Sequence, residues 1–414
     1  MKPGAAHMIT DDRAVNPRAT RTARARRPRR GRGLVAAAAT VLTALTAIVA
    51  LGAWLPGLPV LGLAGTFVMG QYQVYIALGA LVATALTAVA WRLGPRRTGR
   101  ALTVLAALAA AGSLVVVGEC LVLAHRLGAP ISWAQVLAQL EQPGVRPDAT
   151  VRYARVAGHN LLMDIYLPAV SSPAARPAVV WAHGGGFTSG DRADRKGTAR
   201  WLAERGYPVF SVEYRMPRDT GTPTWDEEPQ DLACALEWVR SHAADYHITP
   251  GGIALAGESA GAALALTVAY RLSAHTMTSS CGAAPAPPAA VIGFYPVADL
   301  ASAWNRDVLF NRRTARQSLG GSPAQYPDRY RAVSPIDQVR RGLMPTLLFV
   351  GSDDHIVGTD RVRALHDRLD AADVNNRLVV LPHSDHDFDQ AYGSIGAQIS
   401  RHVALGFLRR VHGS

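Results

Sequence analysis

Three apolar runs lie within residues 34–123, and they constrain this chain more than any other feature. Residues 34–55 (LVAAAATVLTALTAIVALGAWL), 72–91 (YQVYIALGALVATALTAVAW) and 101–123 (ALTVLAALAAAGSLVVVGECLVL) contain a single charge, Glu119. Each reaches the roughly 20 residues that an α-helix needs to cross a bilayer. In hydrocarbon every backbone polar group must bond within its own segment, so such runs form helices. Long buried helices of a soluble domain would account for one such run, but three in close succession point to a membrane region. The first run is too long for a cleaved signal peptide, no small-residue cleavage site stands out, and the arginines make no good twin-arginine signal.

Charge supports this division. Of the 43 Lys/Arg, 14 lie in residues 1–125 with three of the 31 acids, so nearly all of the net charge of +12 belongs there. Mean hydropathy is +0.08, high for a soluble enzyme and low for a polytopic membrane protein, as expected of two unlike parts joined. Residues 1–33 carry nine arginines between Arg13 and Arg32, lack an apolar face and read as a disordered basic tail. An arginine-rich tail can bind nucleic acid, but an apolar run follows it at once, which favours a topology signal; no nucleic-acid partner is expected. Residues 92–100 (RLGPRRTGR) are basic too, whereas 56–71 hold no Lys or Arg. The positive-inside rule then puts the tail and the 92–100 loop in the cytoplasm. Three crossings within 34–125 leave everything after them outside. Residues 56–71, short and rich in Gly and Pro, read as an uncharged external loop or a shallow re-entrant turn. Residues 126–150 read as a connector, with a short amphipathic helix expected over 131–141.

From Val151 to the end the pattern changes to alternating strand and helix. VRYARV and NLLMDIYL alternate like an antiparallel hairpin. Buried strands and amphipathic helices then follow in turn, which argues for a doubly wound, mostly parallel sheet covered by helices. The last helix is expected at about 390–410.

Within 151–414, Gly257-Glu258-Ser259-Ala260-Gly261 follows an apolar strand and opens a helical pattern. Glycines on both sides permit a sharp turn that lifts the Ser259 hydroxyl clear of the sheet, as a nucleophile requires. His183-Gly184-Gly185-Gly186 ends an earlier strand, where bare N–H groups can face an oxyanion. Gly185, Gly186 and Ala260 are the candidate donors, with His183 and Gly184 shaping the loop and His183 not the base. An acid is expected after a later strand, where PTLLFVGSDDHIV offers Asp353 and Asp354. Asp354 is preferred for its Gly351/Val357 spacing, with Asp353 second. A base is expected after the last strand, where LPHSDHDFD offers His383 and His386. His386, further out and followed by Asp387-Phe388, is preferred, and His355 lies too close to Asp354 in sequence to face it.

Of the three cysteines, Cys120 lies in an apolar run. Cys234 and Cys281 would be free to pair if exported; two buried thiols are the commoner state. No CxxC or Cys/His cluster exists, so no zinc site is indicated.

The residues HGGGF (183–187), VEYR (212–215), the helix around Asp231 and Trp238, GESAG (257–261), LGGSP (319–323), SPI (334–336), GSDD (351–354) and HDF (386–388) together resemble the carboxylesterase/acetyl-esterase, hormone-sensitive-lipase-like branch of the α/β-hydrolases. The order Ser259…Asp354…His386 matches that superfamily. The resemblance covers roughly 150–410. It implies the α/β-hydrolase fold, hydrolysis of short-chain or aromatic carboxylic esters, no cofactor, and a supporting role for Glu258. The three apolar runs depart from the soluble pattern of that branch. They add a bilayer as partner and leave room for a lipid-like ester. Alternatives are a cell-envelope acyltransferase using the same residues, a formamidase-like amide hydrolase, and a non-catalytic binding protein.

Overall fold

The computed structural model describes Met1 and residues 29–93, 96–169, 174–282, 284–309 and 311–413, so most of the basic tail lies outside the described residues. Helices α1 (Arg29–Trp54), α2 (Pro59–Leu93) and α3 (Arg96–Arg126) come first, each long and apolar enough to cross a membrane. Helix α1 begins inside the stretch expected to be tail. Much of the surface of the three helices is apolar: Val41, Leu45, Ile48, Val82, Val89 and Leu108 are all exposed.

The loop expected over 56–71 is instead helical from Pro59, and α2 continues to Leu93 across a kink at Tyr72 (φ −124°, ψ 24°). The glycines there serve packing and not a turn. A Cβ at Gly65 would lie 2.4 Å from the carbonyl carbon of Gly52, and one at Gly52 would lie 2.1 Å from the Leu61 oxygen. Small residues let the backbones of α1 and α2 touch, as in membrane helix pairs. Pro59 at the first helical position costs no hydrogen bond.

The connector carries α4 (Trp133–Ala138), shorter than the span expected. Ser132 caps it by accepting the Gln135 N–H, and it ends where Gln139 leaves helical geometry. The rest of the chain runs β1 (Ala149–Val156), β2 (His159–Tyr166), β3 (Arg176–Ala182), α5 (Lys196–Ala203), β4 (Val209–Val212), α6 (Pro217–Thr220), α7 (Glu227–Ser241), β5 (Ile248–Glu258), α8 (Ala260–Ser273), β6 (Ala290–Phe294), α9 (Leu300–Arg306), α10 (Asn311–Leu319), α11 (Pro327–Val333), β7 (Thr346–Gly351), α12 (Thr359–Ala371), β8 (Asn376–Leu381) and α13 (Ile395–His412). The last helix thus starts later than expected, because Ser394 caps it by accepting the Ala397 N–H.

These strands form one eight-stranded sheet in the order β1-β2-β4-β3-β5-β6-β7-β8. The first two pairings are antiparallel and the rest parallel. Strands β4, β6 and β7 are buried at every residue, as expected of parallel strands covered on both faces. Edge strand β1 has a single buried residue, Tyr153. The connections reverse direction between β3 and β5, and ligands bind in such folds at the carboxyl ends of strands flanking that point. Ala182 and Gly257 pair in register there, so the HGGG and GESAG segments emerge side by side.

Cys234 of α7 and Cys281 form a disulfide, with Cα atoms 5.3 Å apart. This corrects the expectation of two free thiols. The pattern on α7 shows burial of Cys234 but not what the loop after α8 brings back to it.

Candidate active site

Ser259 sits between β5 and α8 at φ +51°, ψ −118°, a conformation that is strained for a residue with a side chain. The surrounding glycines make it possible. A Cβ at Gly261 would lie 2.2 Å from the His183 oxygen, and one at Gly257 would lie 2.5 Å from the Gly261 carbonyl carbon. The Ser259 N–H donates to the Phe294 carbonyl at 2.9 Å, which pins the turn to β6.

The structure brings three of the sequence candidates into one hydrogen-bonded chain. His386 Nε2 lies 2.9 Å from Ser259 Oγ, and His386 Nδ1 lies 2.9 Å from Asp354 Oδ2. Asp354 is buried, and its Oδ1 accepts the backbone N–H groups of Ile356 (3.0 Å) and Val357 (2.9 Å). The Asp354 side chain is thereby fixed at the end of β7. Burial alone would lower the His386 pKa, but Asp354 beside it, with Asp387 and Asp385, outweighs burial and raises the pKa to about 9. The remaining candidates lie elsewhere. Asp353 accepts from the Ser352 hydroxyl at 2.6 Å. His383 stands against Trp54 and Glu119 of the apolar helices.

The glycine loop lies directly over the serine. Gly184, Gly185 and Gly186 line, with Ser259 and His386, an open cavity of about 720 Å³. Gly185 (φ +107°) and Gly186 (φ +62°) both occupy the left-handed region that favours glycine. The Gly184 N–H donates to Glu258 Oε1 at 3.2 Å. His183 stacks on Tyr214 with ring centroids 4.4 Å apart, and the Tyr214 hydroxyl donates to the His183 carbonyl at 2.8 Å. Burial holds His183 below its ordinary pKa. Adjoining this cavity at Ser259, a smaller recess of about 60 Å³ is lined mainly by Phe187, Val297, Leu300, Trp304, Leu319 and Val357.

A second charged network underlies the site. Glu258 accepts from Trp181 Nε1 at 2.7 Å and faces Arg195 Nε at 3.4 Å. Burial pushes its carboxyl up to about 7, although Arg195 pulls the other way. Arg195 is itself buried and reaches the Tyr295 hydroxyl (2.6 Å), Asp387 (3.2 Å) and Asp389 (3.4 Å). The Tyr295 ring stands edge-on to His386, with centroids 4.6 Å apart. No sequence motif singles out Arg195, Tyr295, Asp385 or Asp389. Three of them are charged residues, which in isolation read as solvated. The VEYR motif gains a physical reason, because Arg215 Nε and Nη2 both donate to the buried Asp231 at 2.8 Å. Among the described residues no His, Cys, Asp and Glu cluster is arranged to hold a metal ion.

Sheet order, strained serine and hydrogen-bonded triad together define an α/β-hydrolase. The family model described as BD-FAE matches residues 163–369, half of the chain, and the chain belongs to that family. Esterase LipQ of Mycobacterium tuberculosis is 27% identical over 260 residues, 62% of this chain and 61% of that protein. Ethyl acetate hydrolase of Pseudomonas putida is 28% identical over 243 residues, 56% of this chain and 72% of that protein. The chain therefore spans about three fifths of the length of LipQ. Among solved structures, propionate-bound Thermogutta terrifontis esterase 2 is 27% identical, with a TM-score of 0.52 over 66% of this chain and 96% of that one.

Proposed function

We propose that this chain is a membrane-anchored serine hydrolase that cleaves carboxylic esters with short acyl groups through an acyl-enzyme on Ser259. The observation that carries the reading is the Ser259–His386–Asp354 chain of hydrogen bonds beneath the glycine loop. His386 Nε2 accepts the Ser259 proton as Oγ attacks the ester carbonyl. Asp354 holds the imidazole tautomer and stabilises the imidazolium. The N–H groups of Gly185, Gly186 and Ala260 take the oxyanion, where one donor is worth about 2.7–4 kcal/mol. His386 then returns the proton to the leaving alcohol, and water, activated the same way, releases the acid. Glu258 and His183 position the glycine loop, Glu258 through the Gly184 N–H and His183 through its stack on Tyr214.

The small apolar recess favours a short acyl chain, and the wider cavity leaves room for a bulky alcohol. The names of the ethyl acetate hydrolase and the propionate-bound esterase agree with short acids. The basic tail and the basic 92–100 loop support a catalytic part outside, because the positive-inside rule favours the cytoplasm for both. The disulfide agrees, because such bonds persist in oxidising compartments. Residues 34–125 form the membrane region, 126–150 the connector and 151–414 the catalytic domain.

The test is the full-length chain in detergent micelles, assayed on p-nitrophenyl esters from acetate to decanoate beside Ser259→Ala. Acetate to butyrate should be turned over fastest, and Ser259→Ala should be inactive. Equal rates for both proteins would overturn the serine mechanism. Predominant transfer to an added alcohol would redefine the enzyme as an acyltransferase, and a cytoplasmic C-terminal reporter would reverse the orientation.

A further inference from the structure

The two loops that carry Asp354 and His386 do not hang free from the sheet, because the end of the α1–α2 hairpin is packed against them. Gly70 of α2 lies directly on the base loop: a Cβ there would stand 2.9 Å from the Ser384 Cα. Beside this contact is Asp385, whose side chain is fully buried. Its carboxylate accepts four hydrogen bonds. The Thr66 hydroxyl of α2 donates to Oδ2 at 2.5 Å, and His355 Nδ1 donates to the same oxygen at 2.6 Å. The backbone N–H of His355 (3.0 Å) and that of His386 (2.8 Å) donate to Oδ1.

One carboxylate therefore holds the backbone of the residue after the acid and the backbone of the base itself. His355 closes the loop, because its Nε2 lies 2.9 Å from the Pro56 carbonyl in the turn between α1 and α2. A carbonyl and a carboxylate both accept, so both ring nitrogens donate and His355 is an imidazolium. The same neighbours raise its pKa to about 9, with the Asp385 hydrogen bond the largest cause and burial opposing it. The cation neutralises a buried carboxylate that would otherwise be costly to keep ionised.

We propose that Asp385 is a positioning residue, and that Thr66, Pro56 and His355 join it in a clasp through which the membrane hairpin sets the alignment of Asp354 and His386. This rests on the assignment of His386 as the base. Triad hydrogen bonds are sensitive to shifts of this backbone, since a misplacement of about 1 Å can cost about 100-fold in rate. A clasp of this kind makes hydrolysis depend on the seating of the hairpin, so catalysis and membrane anchoring are linked within one chain.

The experiment compares full-length wild type, Thr66→Val, Thr66→Ser and Asp385→Asn in nanodiscs, with Thr43→Val as a control. Thr43 donates to the Ala39 carbonyl inside its own helix α1. Folded enzyme is counted by stoichiometric paraoxon capture, so kcat refers to competent molecules. Asp385→Asn is expected to lower kcat about 100-fold with KM nearly unchanged. Thr66→Val should lower kcat about tenfold. Thr66→Ser should restore kcat, Thr43→Val should leave it alone, and a chain carrying both Thr66→Val and Asp385→Asn should be no slower than Asp385→Asn. The acid limb of kcat/KM should also move to lower pH in Asp385→Asn, because His386 then faces Asp354 and Asp387 without a third anion. A lower melting temperature with wild-type kcat and pH limb in both Thr66→Val and Asp385→Asn would reduce the clasp to a structural contact and overturn the proposal. If Asp385→Asn does not fold, wild-type kcat in Thr66→Val alone overturns it. Ser259→Ala run alongside separates the two readings: full activity there removes the serine mechanism, whereas an inactive Ser259→Ala with unaffected clasp variants removes only the clasp.

Discussion

Helix α8 and helix α1 are both apolar, yet they present that character in opposite directions. Along α8 every residue from Ala260 to Tyr270 is buried under the sheet. Along α1 Leu45, Ile48 and Leu51 are each at least half exposed, while Thr43 and Thr46 point inward. The contrast extends to the two halves of the chain. Between Leu34 and Val122, 22 large apolar side chains are exposed, but beyond Leu137 the only one among the described residues is Leu309, at the cavity. The catalytic half hides its apolar atoms and gathers charge at one buried point. The helical half turns apolar atoms outward and satisfies its buried polar atoms along its own backbone, as when Thr43 donates to Ala39. Where the halves meet, polar groups bond across: His383 Nε2 to Glu119 at 3.1 Å, Thr66 to Asp385 at 2.5 Å.

The contrast is broken most severely by removing the charge-handling chain in the catalytic half. Ser259→Ala should cost about 10⁶-fold in kcat on p-nitrophenyl acetate. Asp354→Asn should cost about 10⁴-fold, because the imidazole loses its tautomer and its counter-charge. Asp353→Asn should change kcat less than about twofold, since its carboxylate faces Ser352 and not the imidazole. A larger loss at Asp353 would move the acid. Next comes the disulfide, which closes a separation of 47 residues. Replacing Cys234 and Cys281 together by Ala should lower stability by about 4 kcal/mol in urea unfolding of the catalytic half. An unchanged midpoint would show that the bond constrains nothing.

The pH dependence follows from the same buried charges. The His386 pKa of about 9 lies above its ordinary value of 6.5. In the proposed mechanism the neutral imidazole is the base, so kcat/KM should rise about tenfold per pH unit below the limb and level off above it. The stability gained from the His386–Asp354 pair runs the other way. It is complete below about pH 6.5 and is lost as pH rises through about 9. Initial rates and melting temperatures over pH 5 to 10 should therefore diverge. A limb at the ordinary histidine pKa would mean that Asp354 does not outweigh burial.

Much of the catalytic half was legible because its signals are local. Glycines around Ser259 and after His183 encode a turn at those positions, and apolar runs of strand length encode the sheet. The choice of Asp354 over Asp353 rested on spacing, and the structure adds the reason: two backbone N–H groups fix its side chain. Legibility ended where function depends on contacts distant in sequence. Asp385 meets Thr66 across 319 positions, and no periodicity encodes that. Arg195 and Asp389 are hidden for the same reason. Residues 56–71 depart from the expected loop because glycine serves two purposes: Gly62 and Gly65 suit a turn in one setting and close helix contact in the other.

The smallest predicted effect tests the outward-facing helices. Leu45 is 58% exposed near the middle of the first apolar run. If it faces lipid, Leu45→Lys should oppose insertion by about 2.5–3.5 kcal/mol, because an ammonium loses its water at the centre of a bilayer. The share of full-length chain that resists a carbonate wash should fall. Gln317→Lys, on an exposed turn of α10, should leave that share unchanged, because water still solvates the charge there. The comparison also bears on the clasp. A chain whose first helix fails to insert can still fold its sheet, but it loses the α1 backbone that packs on α2 at Gly65, beside Thr66. The washed-off fraction of Leu45→Lys should then show lower kcat per paraoxon-reactive serine than the membrane-bound fraction. Equal kcat in both fractions would mean that the hairpin seats itself without the bilayer.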